Sequence, residues 1–199
     1  MKSVFSLLLF MLVALSSPVI SQSKQSVFST SNLELSGGWV HSTGNSGLDG
    51  FNFGASLWFN KRVSIAFDYD HAGDTSTLGN FGLTSAGLIS VKSHMQNWLI
   101  GPRVFFPTKK IKRFDLDPFG EFQFGGTYLN QQISQAGAAS MSASDTAYSW
   151  MLGGGVDYVL SPHWAARGNL DLLRTHLSDM GQTRLRFVLG VAYTFRRRR

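Results

Sequence analysis

The best candidates for nucleophilic chemistry are His176, Ser178 and Asp179, which lie close together near the end of the chain. Residues two apart on a strand point to the same side, so the His176 imidazole could act as a base towards the Ser178 hydroxyl, with Asp179 or another carboxylate as the orienting acid. The other four histidines are not at metal-ligand spacing, and neither a G-x-S-x-G motif nor a phosphate-binding glycine loop that opens a helix occurs. The chain has no cysteine, which excludes disulfide bonds and thiolate chemistry. We therefore predict no catalytic residue, no metal and no cofactor, and keep the His176 group as an alternative.

The last apolar segment of the chain, residues 185–195, alternates strictly between two kinds of side chain. One face is apolar or aromatic throughout and ends in Tyr193 and Phe195, whereas the other face is small or polar except for Val188. A period of two over this length indicates a β-strand. An apolar face that ends in aromatic residues is typical of a membrane barrel strand at a lipid interface.

The same alternation recurs in seven earlier segments. The predicted strands are residues 32–41, 49–59, 63–71, 91–106, 116–129, 146–160, 164–174 and 185–195. Longer connections alternate with shorter or basic ones; the longer ones are 42–48, 73–90, 130–145 and 175–183, and the others are 60–62, 107–115 and 161–162. Long loops on one side and short turns on the other are characteristic of barrels in an outer membrane. We therefore predict an all-β fold, an eight-stranded antiparallel up-and-down transmembrane β-barrel with four external loops.

The charged residues of these segments lie on the faces opposite to the apolar ones, and we assign them to the lumen. A register slip of one residue would turn Arg186 towards lipid, where an arginine costs about 2–4 kcal/mol at mid-depth. We expect the lumenal charges to pair with one another in a structural network that consists of Glu34, Asp68, Asp70, Arg103, Glu121, Asp157, Arg167, Asp171 and Arg186. This register leaves Pro102 on the outer face, which is an awkward place for proline in a paired strand.

The two ends of the chain are predicted to lie outside the barrel. Lys2 precedes an apolar run that is too short to span a membrane and is followed by small residues, which predicts a signal peptide at residues 1–21. We further predict a periplasmic leader at 22–31, one barrel domain at 32–195 and a basic periplasmic tail at 196–199. The formal charge of +6 comes mostly from Lys2 and the four terminal arginines, so the body carries about +1 and offers no basic groove for nucleic acid.

Short motifs in the second half occur in a characteristic order. They are Leu99-Ile-Gly-Pro-Arg103, Asp117-Pro-Phe119 followed by Gly125-Gly126, Gly153-Gly-Gly-Val-Asp157-Tyr158, Leu170-Asp171-Leu-Leu-Arg-Thr175, Gln182, and Gly190-x-x-Tyr193-x-Phe195. In this order they resemble the small outer-membrane β-barrel domain family, related to the OmpA/OmpX-like transmembrane barrels, and the resemblance extends over residues 30–195. It implies a Gram-negative outer-membrane location with outer-membrane lipid and lipopolysaccharide as partners. It also implies an assembly signal, Gly190, Tyr193 and Phe195, that the barrel-assembly machinery reads, although residues 196–199 depart from the usual ending.

The predicted function is therefore that of a non-enzymatic outer-membrane protein with a structural or surface-interaction role. The sequence does not identify the external ligand, and residues 73–90 and 130–145 are the loops in which we expect it to bind. A narrow porin-like channel and a soluble exported barrel of lipocalin type are alternatives, although an eight-stranded barrel is just wide enough for side chains to fill. A lipid A-modifying enzyme is a third alternative. It is kept because the stretch at His176 resembles the H-x-S-N-like element of outer-membrane lipid A deacylases, with Asp179 in place of the asparagine.

Overall fold

A single closed β-sheet makes up nearly all of the chain that the computed structural model describes, namely residues 32–44, 47–78, 89–111, 114–135, 140–177 and 181–195. The strands in these ranges are β1 (Leu33–Ser42), β2 (Leu48–Trp58), β3 (Val63–Leu78), β4 (Ile89–Phe105), β5 (Lys109–Ile111), β6 (Phe114–Gln135), β7 (Met141–Val159), β8 (Trp164–Thr175) and β9 (Gln182–Thr194). Neighbouring strands are antiparallel, β4 pairs with β6, and β1 pairs with β9 to close the sheet. The short strand β5 pairs only with β6, so eight strands form the wall and the predicted eight-stranded barrel is confirmed. None of the described residues belongs to a helix long and apolar enough to cross a membrane.

On every strand of the wall, side chains alternate between an apolar outer face and a lumenal face that carries the buried charged residues. Phe124 and Leu170 on the outside are 58% and 59% exposed, whereas Arg103 and Arg186 inside are 1% and 0% exposed. A soluble barrel would bury its apolar face, so the lipocalin-type alternative is wrong and the outer surface requires lipid as its solvent. The register predicted from the alternation is correct on all eight strands of the wall.

Pro102 lies on the outer face, as predicted, opposite Ile65 of β3. The ladder between β4 and β6 is interrupted beside it, between Ile100 and Arg103. Because proline has no backbone N–H, it fits a sheet only where the ladder is broken or at an edge. The break therefore accommodates Pro102 within a central strand without an unpaired donor.

The strands β3, β6 and β7 extend at least five residues further than the sequence predicts. β3 continues to Leu78, β6 continues to Gln135 and β7 begins at Met141, so the loops expected at 73–90 and 130–145 are shorter than predicted. Glycine, serine and threonine, which are common in these segments, are typical of solvated loops, but each segment has a neighbouring strand that supplies backbone hydrogen bonds, and this context overrides propensity. The strand β5 likewise occupies part of the turn expected at 107–115.

The extended strands form a sheet that rises beyond the rest of the wall. β2 pairs with β3 only as far as Gly73, and β8 pairs with β7 only as far as Ser149. Beyond these points, β3, β4, β6 and β7 pair with one another alone. We call this part, residues 74–78, 89–93, 126–135 and 141–148, the crown. The barrel end that carries it is the loop end, and the opposite end, where β1 begins and β9 ends, is the turn end.

The seam between β1 and β9 depends on a pair of glycines. Gly38 lies directly opposite Gly190, and both face the lumen. A Cβ atom on Gly38 would overlap with the carbonyl oxygen of Leu189, whereas a Cβ on the neighbouring Gly37 would meet nothing closer than the Asn52 carbonyl oxygen at 3.7 Å. The two strands that close the barrel can therefore approach each other only if Gly38 has no side chain.

We expect Gly38→Ala to lower the free energy of unfolding of the refolded barrel by about 1–3 kcal/mol, because the added methyl group overpacks the seam. Gly37→Ala is the matched control, and we expect it to change stability by less than about 0.5 kcal/mol, because its methyl group points outward and meets its nearest atom at van der Waals distance. Urea titration of the two variants in detergent micelles measures both values. Equal stabilities of the two variants would contradict the close approach at the seam.

The lumenal charge network as candidate functional site

The predicted network residues all lie in the lumen, where three arginines divide them into three clusters. In the first cluster, Arg103 Nη2 on β4 is 2.6 Å from Glu121 Oε2 and 3.1 Å from Asp68 Oδ2. The two carboxylates come from β6 and β3, the strands on either side of β4. All three side chains are buried. The planar guanidinium therefore ties three neighbouring strands together through charge-assisted hydrogen bonds.

The second cluster is centred on Arg167 of β8. Its Nε and Nη2 atoms donate to the two carboxylate oxygens of Asp157 on β7, at 2.7 and 2.8 Å, in a bidentate pair. Nη2 also donates to Glu34 Oε1 at 2.6 Å. Since Glu34 lies on β1 and β9 separates it from β8, this contact crosses the seam at which the barrel closes.

The third cluster is centred on Arg186 of β9 and spans the lumen. Its Nε and Nη2 atoms donate to both oxygens of Asp70, at 2.8 and 2.9 Å, and Nη1 donates to Asp171 Oδ2 at 2.5 Å. Asp171 is on the adjacent strand β8, but Asp70 is on β3, which is not a neighbour of β9. The cluster therefore links opposite parts of the wall.

Buried amides also donate to the carboxylates of the network, and they were not predicted as site residues. Asn52 Nδ2 donates to Asp70 at 2.8 Å and lies 3.4 Å from Asp68, which connects the first cluster to the third. Gln123 Nε2 donates to Asp68 at 2.5 Å and to Glu121 at 3.0 Å. Their inward positions were visible in the alternation, but an amide carries no formal charge and was not counted with the network.

An apolar layer fills the lumen on the loop-end side of the charges. It contains Val40, Leu48, Ala72, Met95, Leu99, Met151, Leu173 and Val188, all of them buried. On β3, for example, Ala72 lies nearer the loop end than Asp70, and on β8 Leu173 lies nearer the loop end than Asp171. Apart from Val188, these inward apolar side chains were not predicted, because the lumenal faces were assigned from their charged and polar residues.

Aromatic rings close the lumen on the turn-end side. The Trp58 and Phe105 rings are 4.5 Å apart, and the Phe105 and Phe119 rings are 5.1 Å apart. The guanidinium carbons of Arg103 and Arg167 lie 5.0 and 5.2 Å from the centre of the Phe119 ring, within cation–π distance. The charge network is therefore enclosed between two apolar layers.

The residues of the predicted assembly signal lie at the end of β9. Tyr193 is on the outer face, where its ring packs against Trp164 and Phe195 with centroids 4.8 and 5.1 Å apart. The Phe195 N–H donates to the Leu33 carbonyl at 3.0 Å, which fastens the end of the barrel domain to β1. Gly190 faces the lumen in the glycine pair of the seam.

The candidate nucleophile group falls only partly within the structure. Ser178 and Asp179 lie outside the described residues, and His176 stacks on the Tyr148 ring with centroids 4.1 Å apart. The part of the chain that the structure describes contains no group of three or more histidine or acidic side chains that could hold a metal ion.

We expect Arg186→Met to destabilise the barrel by about 3–5 kcal/mol, because Asp70 and Asp171 would remain buried without their cation. Arg184→Met is the matched control on the same strand. Arg184 is only partly buried and donates to the Thr43 carbonyl and the Gln182 amide, so we expect a loss below about 1 kcal/mol. Urea unfolding in lipid vesicles gives both values. Similar losses for the two variants would show that the lumenal pairs add no stability beyond an ordinary contact.

The chain matches a family of known proteins and several solved structures. The sequence model of the family described as "Outer membrane protein beta-barrel domain" matches residues 5–195. The attachment invasion locus protein Ail of Yersinia pestis, solved in complex with the heparin analogue sucrose octasulfate, is 16% identical with a TM-score of 0.55, over 81% of this chain and 96% of that chain. OprG of Pseudomonas aeruginosa is 12% identical with a TM-score of 0.52, over 82% of this chain and 95% of that chain. No curated protein sequence matches the chain.

At these identities the two structures show a shared fold alone, whereas the family match extends over nearly the whole chain. The family match agrees with the resemblance that the sequence motifs indicated and with a barrel whose apolar face points outward. The chain therefore belongs to the outer membrane protein β-barrel domain family and resides in the bacterial outer membrane.

Proposed function

We propose that the protein is a non-enzymatic, non-conducting scaffold of the outer membrane that presents the crown outside the cell for surface interaction. The observation that carries this proposal is the combination of a sealed lumen and a sheet that rises beyond the wall. The loop end faces outward in this proposal, because a chain exported into the periplasm places both ends of the barrel domain, and hence the turn end, on the periplasmic side.

The sealed lumen favours the scaffold function rather than the narrow-channel alternative. A porin conducts because its lumen is a water-filled channel, whereas the lumen of an eight-stranded barrel has room only for its own side chains. Here the arginine clusters occupy the middle of the lumen, the layer around Met95 and Leu173 lies above them, and the rings of Phe105 and Phe119 lie below. An ion would have to displace paired charges and cross two apolar layers.

The crown supports an interaction role because its outer strands have free edges among the described residues. The His176 N–H donates to the Tyr148 carbonyl at 3.3 Å, so the backbone groups of Tyr148 point away from β6. The orientation repeats every two residues along a strand, and the N–H and C=O groups of Ser142, Ser144 and Thr146 point the same way. An exposed edge of this kind can accept an extended peptide as an additional strand.

The position of β9 supports two further parts of the proposal. Tyr193 and Phe195 are presented on the outer surface at the turn end, where the barrel-assembly machinery could read them together with Gly190 as the assembly signal. The apolar outer face would contact outer-membrane lipid, with lipopolysaccharide at its external rim.

The purified wild-type barrel should give no unitary conductance steps in a planar lipid bilayer, because the lumen is blocked at three levels. A porin inserted in the same bilayer serves as the positive control, and incorporation of the barrel is verified by its resistance to protease. Regular conductance steps that scale with salt concentration would reject the non-conducting scaffold and would favour the narrow-channel alternative.

Ser144→Pro should abolish strand addition at the crown while it preserves the barrel, because the N–H that it removes points to the free edge and not to β6. Ser144→Ala keeps that N–H and is the matched control. Cells of a non-adherent laboratory strain that express each form are compared for adhesion to immobilised fibronectin, laminin and collagen. We expect wild type and Ser144→Ala to adhere more than cells with an empty vector, and Ser144→Pro to fall to the vector level. Equal adhesion of the proline and alanine forms would reject the edge as the interaction surface.

A further inference from the structure

The charge network has more carboxylates than guanidinium groups. Each of the three arginines binds two carboxylates, and the six carboxylates are all different residues. With every group ionised, the nine side chains carry a formal charge of −3. An uncompensated charge away from water is strongly unfavourable, so the lumen favours an additional positive ligand.

Three buried oxygen atoms in the same region have no hydrogen-bond partner. They are Gln123 Oε1, Asn169 Oδ1 and Asp171 Oδ1, and their side chains are at most 4% exposed. The amide nitrogens of Gln123 and Asn169 both donate to Glu121, at 3.0 and 3.1 Å, so the two free amide oxygens lie close to that carboxylate. All three of these atoms are acceptors, which is what a cation requires, whereas the buried network donor without a hydrogen-bond partner among the described residues, Arg167 Nη1, belongs to the second cluster.

Two inward-facing glycines of β7 lie directly beside two of these oxygens. Gly153 lies between Glu121 and Asp171 in one row across β6, β7 and β8. A Cβ atom on Gly153 would overlap with the free oxygen of Asp171, and a Cβ on Gly155 would lie 3.0 Å from the free oxygen of Asn169. The free oxygens of Asp171 and Asn169 therefore lie over bare backbone of β7, with the Phe119 ring as the side chain that also approaches Gly155.

The donor set indicates the class of cation. Carboxylate and amide oxygens are ligands of hard cations, and no histidine or cysteine takes part. Ca²⁺ accepts carboxylates and amide oxygens together in irregular geometry, whereas Mg²⁺ requires near-octahedral geometry and retains water. The set has only two carboxylates, which agrees with the absence of a group of three acidic or histidine side chains among the described residues.

We propose that the lumen binds one hard divalent cation, best matched by Ca²⁺, beside Gly153, where Glu121, Gln123, Asn169 and Asp171 supply the oxygen ligands. The cation offsets part of the excess negative charge and satisfies the three free acceptors. Because apolar layers enclose the network on both sides, the cation enters while the barrel folds and exchanges slowly afterwards.

The test uses the full barrel domain refolded from urea in zwitterionic detergent free of lipopolysaccharide. Refolding is performed with CaCl₂, with EDTA, and with NaCl at matched ionic strength, and bound metal is measured after gel filtration. We expect about one Ca²⁺ per barrel and a higher urea midpoint with CaCl₂ than with either other buffer. Asp171→Asn should lower calcium affinity by about tenfold or more.

Two further variants make the result specific. Asp49→Asn removes an exposed carboxylate of the outer face and should leave the calcium content unchanged. Asn169→Asp adds a charged ligand and should widen the difference in urea midpoint between CaCl₂ and EDTA, which provides a test even where Asp171→Asn fails to refold.

Several outcomes would overturn the site. An absence of stoichiometric calcium with equal urea midpoints in CaCl₂ and EDTA would assign the free oxygens to water. Equal stabilisation by NaCl would indicate general screening of the lumenal charge. Loss of calcium in Asp49→Asn would locate the metal on the outer surface.

Discussion

A buried guanidinium must be surrounded by carboxylates, and this requirement organises the lumen of the barrel. The closed sheet satisfies the backbone hydrogen bonds and sends every second side chain inward, away from lipid. Once arginines and acids face one another in that enclosed space, each must find its partner on another strand. Arg103 connects three adjacent strands, whereas Arg186 connects β9 to β3 across the lumen. The pairs therefore fix the relative positions of strands that share no hydrogen-bond ladder.

The layers on both sides of the network follow from the same requirement. Ion pairs are strongest where water is excluded, and the layer around Met95 and the rings around Phe119 exclude it from the two ends. In the function that we propose, the same layers also remove the aqueous path that conduction needs. The proposed interaction surface is then the exterior, where the strands β3, β4, β6 and β7 extend beyond their neighbours and form the crown.

The fold was predictable from the sequence because a barrel strand has a period of two, and a slip by one residue would expose residues such as Asp157 or Arg186 to lipid. The pairing of the charges was not predictable, since Arg186 and Asp70 are 116 residues apart and their contact depends on barrel closure. Trp58 lies near a strand end, where interfacial aromatic residues are expected, yet its place in the alternation puts it inside against Phe105. The crown was missed because loop composition and edge-strand composition are alike. An inward-facing apolar residue such as Leu173 could not be predicted, because in the sequence it looks the same as a break in the apolar–polar alternation.

The central claim is that paired lumenal charges hold the strands of the closed barrel together, and a double-mutant cycle on Arg167 and Asp157 tests it most directly. Free energies of unfolding in lipid vesicles are needed for wild type, Arg167→Met, Asp157→Asn and the double variant. For a buried bidentate pair with nitrogen–oxygen distances of 2.7 and 2.8 Å, the predicted coupling energy is at least about 1.5 kcal/mol. Additive losses, with a coupling energy near zero, would contradict the account, because they would mean that the two groups contribute to stability independently of their contact.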